Sequence, residues 1–247
     1  IQSRVINRGH PWILWAKYLP VVKNHPDIFH IQWAKGVEEW MFLKEHMGVK
    51  LVLSLRGTHI TNSPLSDEAI ASSYRRCFPV IDGFHAVSKE ISGEAEQYGA
   101  KKEKIKVIYS AVDRNAVRNF EKEKFILNER SVKLVSVGRM HWIKGYHYAL
   151  DAISLLLEKN VNVHYTIIGW GNQEEVLFHV KDLGLDDHVT LLKKISHDEV
   201  LKNMQASDLL ILPSVEEGIA NVVLEAMAIG LPVLSSDCGG MKEVIRH

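Results

Sequence analysis

The fold is decided by the stretch LLILPSVEEGIANVVLEAMAIGLP, which spans residues 209–232. An uninterrupted apolar run leads into Pro213, a turn containing Gly218 follows, and apolar residues then recur at helical spacing as far as Gly230. A short continuous apolar run is typical of a parallel strand that is buried on both faces. The stretch therefore predicts one strand–turn–helix unit of an α/β fold.

The same alternation of short apolar runs and longer helical patterns extends over most of the chain. The predicted strands are Asp27–Gln32, Lys50–Leu55, Gly83–Val87, Lys104–Tyr109, Lys133–Val137, His164–Ile168, His188–Leu192, Asp208–Leu212 and Pro232–Ser235. The clearest helical patterns lie at Tyr146–Lys159, Gln173–Leu183, Ser196–Ala206 and Ala220–Gly230. This alternation predicts an α/β protein with two Rossmann-like, doubly wound domains.

A charged segment interrupts the alternation. Residues 114–130 are rich in Arg, Lys and Glu, and they predict a connection between a first domain, residues 1–113, and a second, residues 131–247. The sequence begins at Ile1 and stops directly after a helical pattern. We therefore expect a fragment in which both domains are incomplete.

The composition argues against several classes of protein. Lys plus Arg and Asp plus Glu number 30 each in 247 residues, so the chain has no net charge. Nucleic acid is not expected as a partner, because such binding draws on clustered positive charge. The two cysteines, Cys77 and Cys238, fit a reducing compartment and a cytoplasmic location. The 13 histidines show no metal-ligand spacing, so we expect no metal.

Aromatic residues and lysines cluster near the start of the chain. Trp12, Trp15 and Tyr18 occur together with Lys17 and Lys23. One interpretation is a helix that lies at a membrane surface, where aromatic rings and lysines suit the headgroup region. The other is a helix that packs against the sheet.

Two acidic residues flank the predicted helix that starts near Ala220. Glu217 lies in the turn before this helix and Glu225 lies inside it. The amides at a helix N-terminus suit a phosphate, and Gly218 allows close approach of the backbone. A carboxylate beside a phosphate needs another partner, and vicinal sugar hydroxyls can donate two hydrogen bonds to it. The alternative is that both glutamates are solvated surface charges.

Two cations follow another predicted strand in the stretch LVSVGRMHWIKG, residues 134–145. Arg139, directly after Gly138, and Lys144 would lie at the same sheet edge as the two glutamates and could bind a diphosphate. A charged surface loop is the alternative. A weaker signal is the pair Gly169 and Gly171 after the next strand, which is also common in plain turns.

The combined motifs resemble a known family. From about Val132 onward, the order and spacing of the motifs containing Gly138-Arg139, Lys144-Gly145, Gly169-x-Gly171 and Glu217-Gly218 with Glu225 are similar to the retaining GT-B glycosyltransferases of the "group 1" (family 4) type. The resemblance implies that Arg139 and Lys144 bind the donor diphosphate and that Glu217 contacts the transferred sugar. It also implies sugar or phosphate contacts for the amides of Gly218 and Ile219, and a ribose contact for Glu225. Gly138, Gly169 and Gly171 would belong to the same donor-binding site.

The first half of the chain follows the order of the acceptor domain of this family. Many members carry His-Gly-x-Asp where this chain has Arg56-Gly57-Thr58-His59. Arg56, Gly57 and His59 are therefore the candidate residues on the acceptor side. Because the chain departs from the family pattern here, a plain structural role for Arg56 and His59 stays an alternative.

The implied activity is the transfer of a sugar from a UDP-, GDP- or ADP-sugar to a hydroxyl of a glycan or lipid-linked precursor, such as one of lipopolysaccharide, with retention of configuration. Glu217, Arg139 and Lys144 would be the catalytic residues, with no cofactor and no metal. The alternatives are an inactive fragment or non-enzymatic binder of nucleotide sugars, or an epimerase or phosphorylase of the same architecture.

Overall fold

A computed structural model describes residues 13–113 and 131–245. The chain divides into two compact units, Ile1–Tyr109 and Ser110–His247. The predicted connection at residues 114–130 lies outside the described residues, as does Trp12. All nine predicted strands are present with ends within two residues of the prediction, and the two parallel sheets confirm the α/β fold class.

The first unit contains four parallel strands in the order β1-β2-β3-β4. Its elements are α1 (Ile13–Asn24), β1 (Ile28–Ile31), α2 (Met41–Met47), β2 (Lys50–Leu55), α3 (Ser63–Ser66), α4 (Glu68–Cys77), β3 (Gly83–Ala86), α5 (Lys89–Gln97) and β4 (Ile105–Val107). Helix α5 begins where Ser88 accepts a hydrogen bond from the Ile91 amide, as an N-cap serine does. The core packs against one face of this sheet, where Leu51, Leu53 and Leu55 are fully buried.

The aromatic segment near the start of the chain forms α1. The Tyr18 ring packs edge-on against Trp40 and Phe42, at 5.1 and 5.6 Å between ring centres. Lys17 pairs with Glu39 of the same unit. These contacts fit the interpretation of a helix packed within its domain, and contact with a membrane surface stays a prediction. In the part of the chain that the structure describes, no helix has the length and apolar character needed to cross a bilayer.

The second unit contains five parallel strands in the order β7-β6-β5-β8-β9. Its elements are β5 (Val132–Val137), α6 (Tyr146–Glu158), β6 (Val163–Ile168), α7 (Glu174–Asp182), β7 (Val189–Leu192), α8 (His197–Gln205), β8 (Leu209–Leu212), α9 (Asn221–Ala228) and β9 (Val233–Ser235). Two clusters of buried apolar side chains pack around this sheet, one including Leu150 and Ile167 and the other Val135 and Leu210.

The strand order of the second sheet positions its site. After β5 the chain continues to β6 on one side, whereas after β8 it continues to β9 on the other. In open α/β sheets, ligands bind in the crevice at the carboxyl ends of the strands where the order reverses in this way. The crevice of this unit therefore lies between the loops that follow β5 and β8.

Candidate functional site

The loop after β5 reaches the loop after β8 through close backbone contacts. A 3-10 turn, Trp142–Lys144, ends at Gly145, whose φ is +64°. A methyl group added to Gly145 would lie 2.1 Å from the Pro213 carbonyl oxygen, so only glycine permits this approach. The Val215 amide also donates to the Ile143 carbonyl at 2.8 Å. The two loops therefore hold one another in place.

The centre of the site is an ion pair between these loops. The Lys144 ammonium contacts the Glu217 carboxylate, and both side chains are largely buried, with 17% and 15% of their surface exposed. The hydroxyl of buried Ser214 donates to the same Glu217 oxygen at 3.0 Å. Two residues predicted from separate motifs are thus in direct contact at the crevice between β5 and β8.

The other two predicted charges make different contacts. Arg139 is exposed, and its guanidinium lies 6.0 Å from the centre of the Trp170 ring. Glu225 lies in α9, where its carboxylate is 3.1 Å from Nε2 of His197 at the start of α8. Of the four predicted side chains, Lys144 and Glu217 therefore form the pair in contact, while Arg139 lies near Trp170 and Glu225 contacts His197.

Glycines let the strand ends approach one another. A methyl group on Gly169 would lie 1.8 Å from the Gly138 carbonyl oxygen, and one on Gly171 would lie 2.9 Å from the Met140 carbonyl oxygen. Met140 and Gly171 also form a parallel bridge. Backbone packing therefore explains why Gly169 and Gly171 are glycines, and their contact with a donor stays a prediction.

The start of α9 has the features of an anion site. Gly218 and Ile219 are buried directly before it, and the N-cap residue Ala220 makes no side-chain cap. The first amides of a helix have no partner within the helix. A phosphate oxygen can accept from such amides, and the positive end of the helix dipole favours it.

Sequence reasoning missed Tyr146 as a polar neighbour of the ion pair. Its hydroxyl is buried without a hydrogen-bond partner among the described residues. A methyl group on Gly138 would lie 3.0 Å from this hydroxyl. Burial, with smaller contributions from Tyr165 and Glu217, raises the pKa of Tyr146, so the phenol stays protonated. At the start of an apolar helix Tyr146 looks like a core residue, and its position two residues after Lys144 was the signal available.

The acceptor-side candidates follow the end of β2 and lie beside residues that follow β1. The Arg56 guanidinium donates to Oε1 of Gln32 at 3.2 Å. Gly57 has a φ of +51° and opens the 3-10 turn Gly57–His59. The His59 ring lies 4.9 Å from the Trp33 ring, and burial, assisted by the charge of Lys35, lowers the pKa of His59. Arg56 and His59 thus lie beside Gln32 and Trp33, two residues that the sequence did not single out.

Metal-ligating side chains do not cluster in the described ranges. Across residues 13–113 and 131–245, no three His, Cys, Asp or Glu side chains are arranged so that they could hold a metal ion. The absence of a metal from the reaction stays a prediction.

Comparison with known proteins identifies the family. Residues 117–247, more than half of the chain, match the family of "Glycosyl transferases group 1". The chain belongs to this family. The matched segment contains the Lys144–Glu217 pair and both loops that carry it.

Named relatives extend the similarity into the first unit. The amylovoran biosynthesis glycosyltransferase AmsK of Erwinia amylovora is 30% identical over 210 residues, which are 80% of this chain and 49% of that protein. The N-acetyl-alpha-D-glucosaminyl L-malate synthase of Bacillus anthracis is 27% identical over 91% of this chain and 60% of its own length. The chain thus spans about half of the length of these relatives.

Solved structures share the two-sheet architecture. The structure of Anabaena HepE in complex with UDP-glucose matches 92% of this chain and 64% of its own, with a TM-score of 0.74 and 22% identity. The sucrose-phosphate synthase of Thermosynechococcus elongatus matches 94% and 62%, with a TM-score of 0.78 and 17% identity. At this identity the likeness shows the fold, which is the GT-B architecture of two Rossmann-like domains.

Proposed function

We propose that the protein transfers a sugar from a UDP-, GDP- or ADP-sugar to a hydroxyl of a glycan or lipid-linked precursor, with retention of configuration. The observation that carries the proposal is the contact between Lys144 and Glu217 in the crevice between β5 and β8. Membership of the group 1 glycosyl transferases supports transfer over the epimerase and phosphorylase alternatives. The name of AmsK supports a polysaccharide precursor as acceptor.

The ion pair suggests how the donor binds. In the free protein, Lys144 and Glu217 neutralise one another while both are largely removed from solvent. A nucleoside diphosphate competes with Glu217 for the ammonium of Lys144. Its negative charge can take the place of the carboxylate, so the largely buried ammonium is not left without a counter-charge. Glu217 is then free to accept hydrogen bonds from hydroxyls of the sugar. The exposed guanidinium of Arg139 supplies a second cation with two parallel donors.

These residues also account for catalysis. As the bond to the diphosphate breaks, negative charge grows on the leaving group and positive charge grows on the anomeric carbon. Lys144 and Arg139 stabilise the first, and Glu217 stabilises the second. In the proposed retaining reaction the departing phosphate takes the proton of the acceptor hydroxyl, so neither a protein base nor a metal is required. A reducing cytoplasm, near the inner face of a membrane that supplies lipid-linked acceptors, is the proposed location.

Two substitutions test the different roles of the pair. K144M removes the cation that holds the diphosphate, so UDP and UDP-glucose should both bind at least about 100-fold more weakly. E217Q removes a group that holds only the sugar, so UDP-glucose should bind about tenfold more weakly while UDP binds as well as before or better. Isothermal titration calorimetry measures the affinities for both ligands. If the protein prefers guanine or adenine to uracil, GDP-mannose or ADP-glucose replaces UDP-glucose.

The matched control is K159M, which removes a lysine from the C-terminal end of α6, at the opposite end of the sheet. It should leave both affinities unchanged. If E217Q lost affinity for UDP and UDP-glucose equally, the division of roles between Lys144 and Glu217 would be contradicted. A wild-type chain that binds no nucleotide sugar would contradict the proposed function. The configuration of the transferred sugar, read from proton NMR coupling in the product, tests retention.

A further inference from the structure

The first sheet has two unlike faces. Side chains alternate along a strand, so residues that are register partners on neighbouring parallel strands point to the same face. Ser54 is paired with His85, and His30 is paired with Val52, two residues before Ser54. His30, Ser54 and His85 therefore share the face opposite the buried leucines, close to the carboxyl ends of β1, β2 and β3.

These three side chains form a hydrogen-bonded chain. His30 Nε2 lies 2.9 Å from Ser54 Oγ, and Ser54 Oγ lies 3.1 Å from His85 Nδ1. His85 Nε2 lies 3.1 Å from the carbonyl oxygen of Ile108. Ser54 is fully buried, while His30, at one end of this series of hydrogen bonds, is exposed.

The direction of these hydrogen bonds follows from the one group that can only accept. The Ile108 carbonyl must receive a proton, so His85 carries hydrogen on Nε2 and its Nδ1 is an acceptor. Ser54 therefore donates its single hydrogen to His85, and its oxygen accepts from Nε2 of His30. This series of hydrogen bonds thus fixes neutral His30 in the Nε2–H tautomer, with a lone pair on Nδ1. Nδ1 has no partner among the described residues.

His30 faces a place where a ligand can bind. It lines a cavity of about 300 Å³ together with Gln32, Trp33 and Trp40. Aromatic rings and an amide are groups that bind the apolar faces and hydroxyls of sugars. The charged residues of this cavity are Lys17, Lys35 and Glu39, and Lys17 is already paired with Glu39.

We propose that His30 accepts a hydrogen bond at Nδ1 from a hydroxyl of the sugar acceptor, and that Ser54 and His85 are positioning residues that fix its tautomer. The proposal rests on the proposed function, because it takes the bound molecule to be the acceptor of the transfer. Burial, His85 and Arg56 all lower the pKa of His30, so that it stays neutral and able to accept at neutral pH.

The first test measures the tautomer. Long-range ¹H–¹⁵N correlation NMR of the labelled chain at pH 8 should show His30 only as the Nε2–H form. In S54A the His30 ring loses its partner, so it should become a mixture of tautomers, and S54T should restore the single form. His46, an exposed histidine of the same unit, is the control and should not respond to S54A. A wild-type His30 that carries hydrogen on Nδ1 would overturn the proposal.

The second test measures binding at Nδ1. Methyl β-D-glucopyranoside, methyl β-D-galactopyranoside and methyl α-D-mannopyranoside are titrated in turn, and at least one should shift the Nδ1 resonance of His30. H30Q keeps a donor toward Ser54 but lacks the Nδ1 lone pair, so it should bind that glycoside about tenfold more weakly while H46Q binds it normally. Binding should also weaken as acid protonates Nδ1, and H30Q should lose this pH dependence.

The outcomes separate this proposal from the proposed function. None of the NMR measurements needs a nucleotide sugar, so a chain that fails to bind UDP-, GDP- or ADP-sugars contradicts the proposed function and leaves the His30 result readable. A chain that binds a nucleotide sugar, with no shift of His30 by any of the three glycosides, overturns the role of His30 alone.

Discussion

Each sheet has a buried serine as the fifth residue of a six-residue central strand, yet the two hydroxyls have different partners. In the second unit, Ser136 of β5 accepts from the fully buried phenol of Tyr165 at 2.6 Å and donates to the Ile211 carbonyl of β8. In the first unit, Ser54 of β2 links two imidazoles, of which His30 is exposed.

The difference shows that what a buried hydroxyl contacts decides its role. Ser136 and Tyr165 connect three strands with groups that no ligand can reach, so they act on stability. The hydrogen bonds of Ser54 lead to His30, an exposed residue, so Ser54 controls the state of a group that a ligand can reach. The charged pair of the second unit suits a diphosphate. The neutral hydrogen-bonded side chains of the first unit, which are His30, Ser54 and His85, suit a hydroxyl.

The largest expected effect comes from a methyl group added between the loops of the second site. Gly145 and Gly57 both have positive φ, at +64° and +51°, but a methyl group on Gly57 meets nothing within 4 Å. G57A should therefore cost about 1 kcal/mol for its backbone conformation alone. G145A should cost more than about 4 kcal/mol, because the methyl group also collides with the Pro213 carbonyl. Hydrogen exchange of peptides from each unit measures the local free energies of opening.

G230A is the control within the second unit, since Gly230 has a φ of +73° and open space around it. G230A should lower the local free energy of opening by about as much as G57A does. If G145A lowered the free energy of opening no more than these two variants, the loops after β5 and β8 could separate without loss of stability. The contact between Lys144 and Glu217 would then not depend on them.

A smaller effect separates the two serines. Y165F removes the donor to Ser136 in a fully buried site and should destabilise the second unit by about 1–2 kcal/mol. S54A should cost less stability, because exposed His30 and half-buried His85 can both bond to water instead, but it should weaken glycoside binding to the first unit. Urea unfolding followed by tryptophan fluorescence, together with the glycoside titration, measures both. A loss of glycoside binding in Y165F as large as in S54A would remove the contrast.

The strands and the contact between Lys144 and Glu217 were predictable from the sequence, for physical reasons. Strands buried on both faces, such as Leu209–Leu212, must be apolar throughout, so the sequence records them directly. Lys144 and Glu217 each follow such a strand, and the ends of parallel strands meet at one edge of the sheet. Positions of the predicted residues relative to the crevice could therefore be inferred before the structure was known.

The histidine chain was not predictable in the same way. Its members lie 24 and 31 residues apart, and each alone resembles an ordinary polar residue on a strand. Only the register of β1, β2 and β3 places them on one face. The neighbours of Arg139 and Glu225, which are Trp170 and His197, were also missed, because each contact joins two elements that are far apart in the sequence and leaves no periodic signal.

The smallest expected effect is a pH dependence confined to the first unit. The pKa of His30 is lowered by burial and by His85 and Arg56, and that of His59 by burial and Lys35, whereas both titrate near 6.5 when unfolded. Below about pH 6.5 the unfolded chain therefore binds more protons than the folded chain, and the free energy of unfolding falls as the pH drops from 7 to 5. The double variant H30Q/H59Q should flatten this slope in urea titrations. Y165F should keep the wild-type slope, because burial raises the pKa of Tyr165 far from this range. An unchanged slope in the double variant would mean that neither imidazole is held neutral by the fold, and the contrast between a neutral first site and a charged second one would lose its basis.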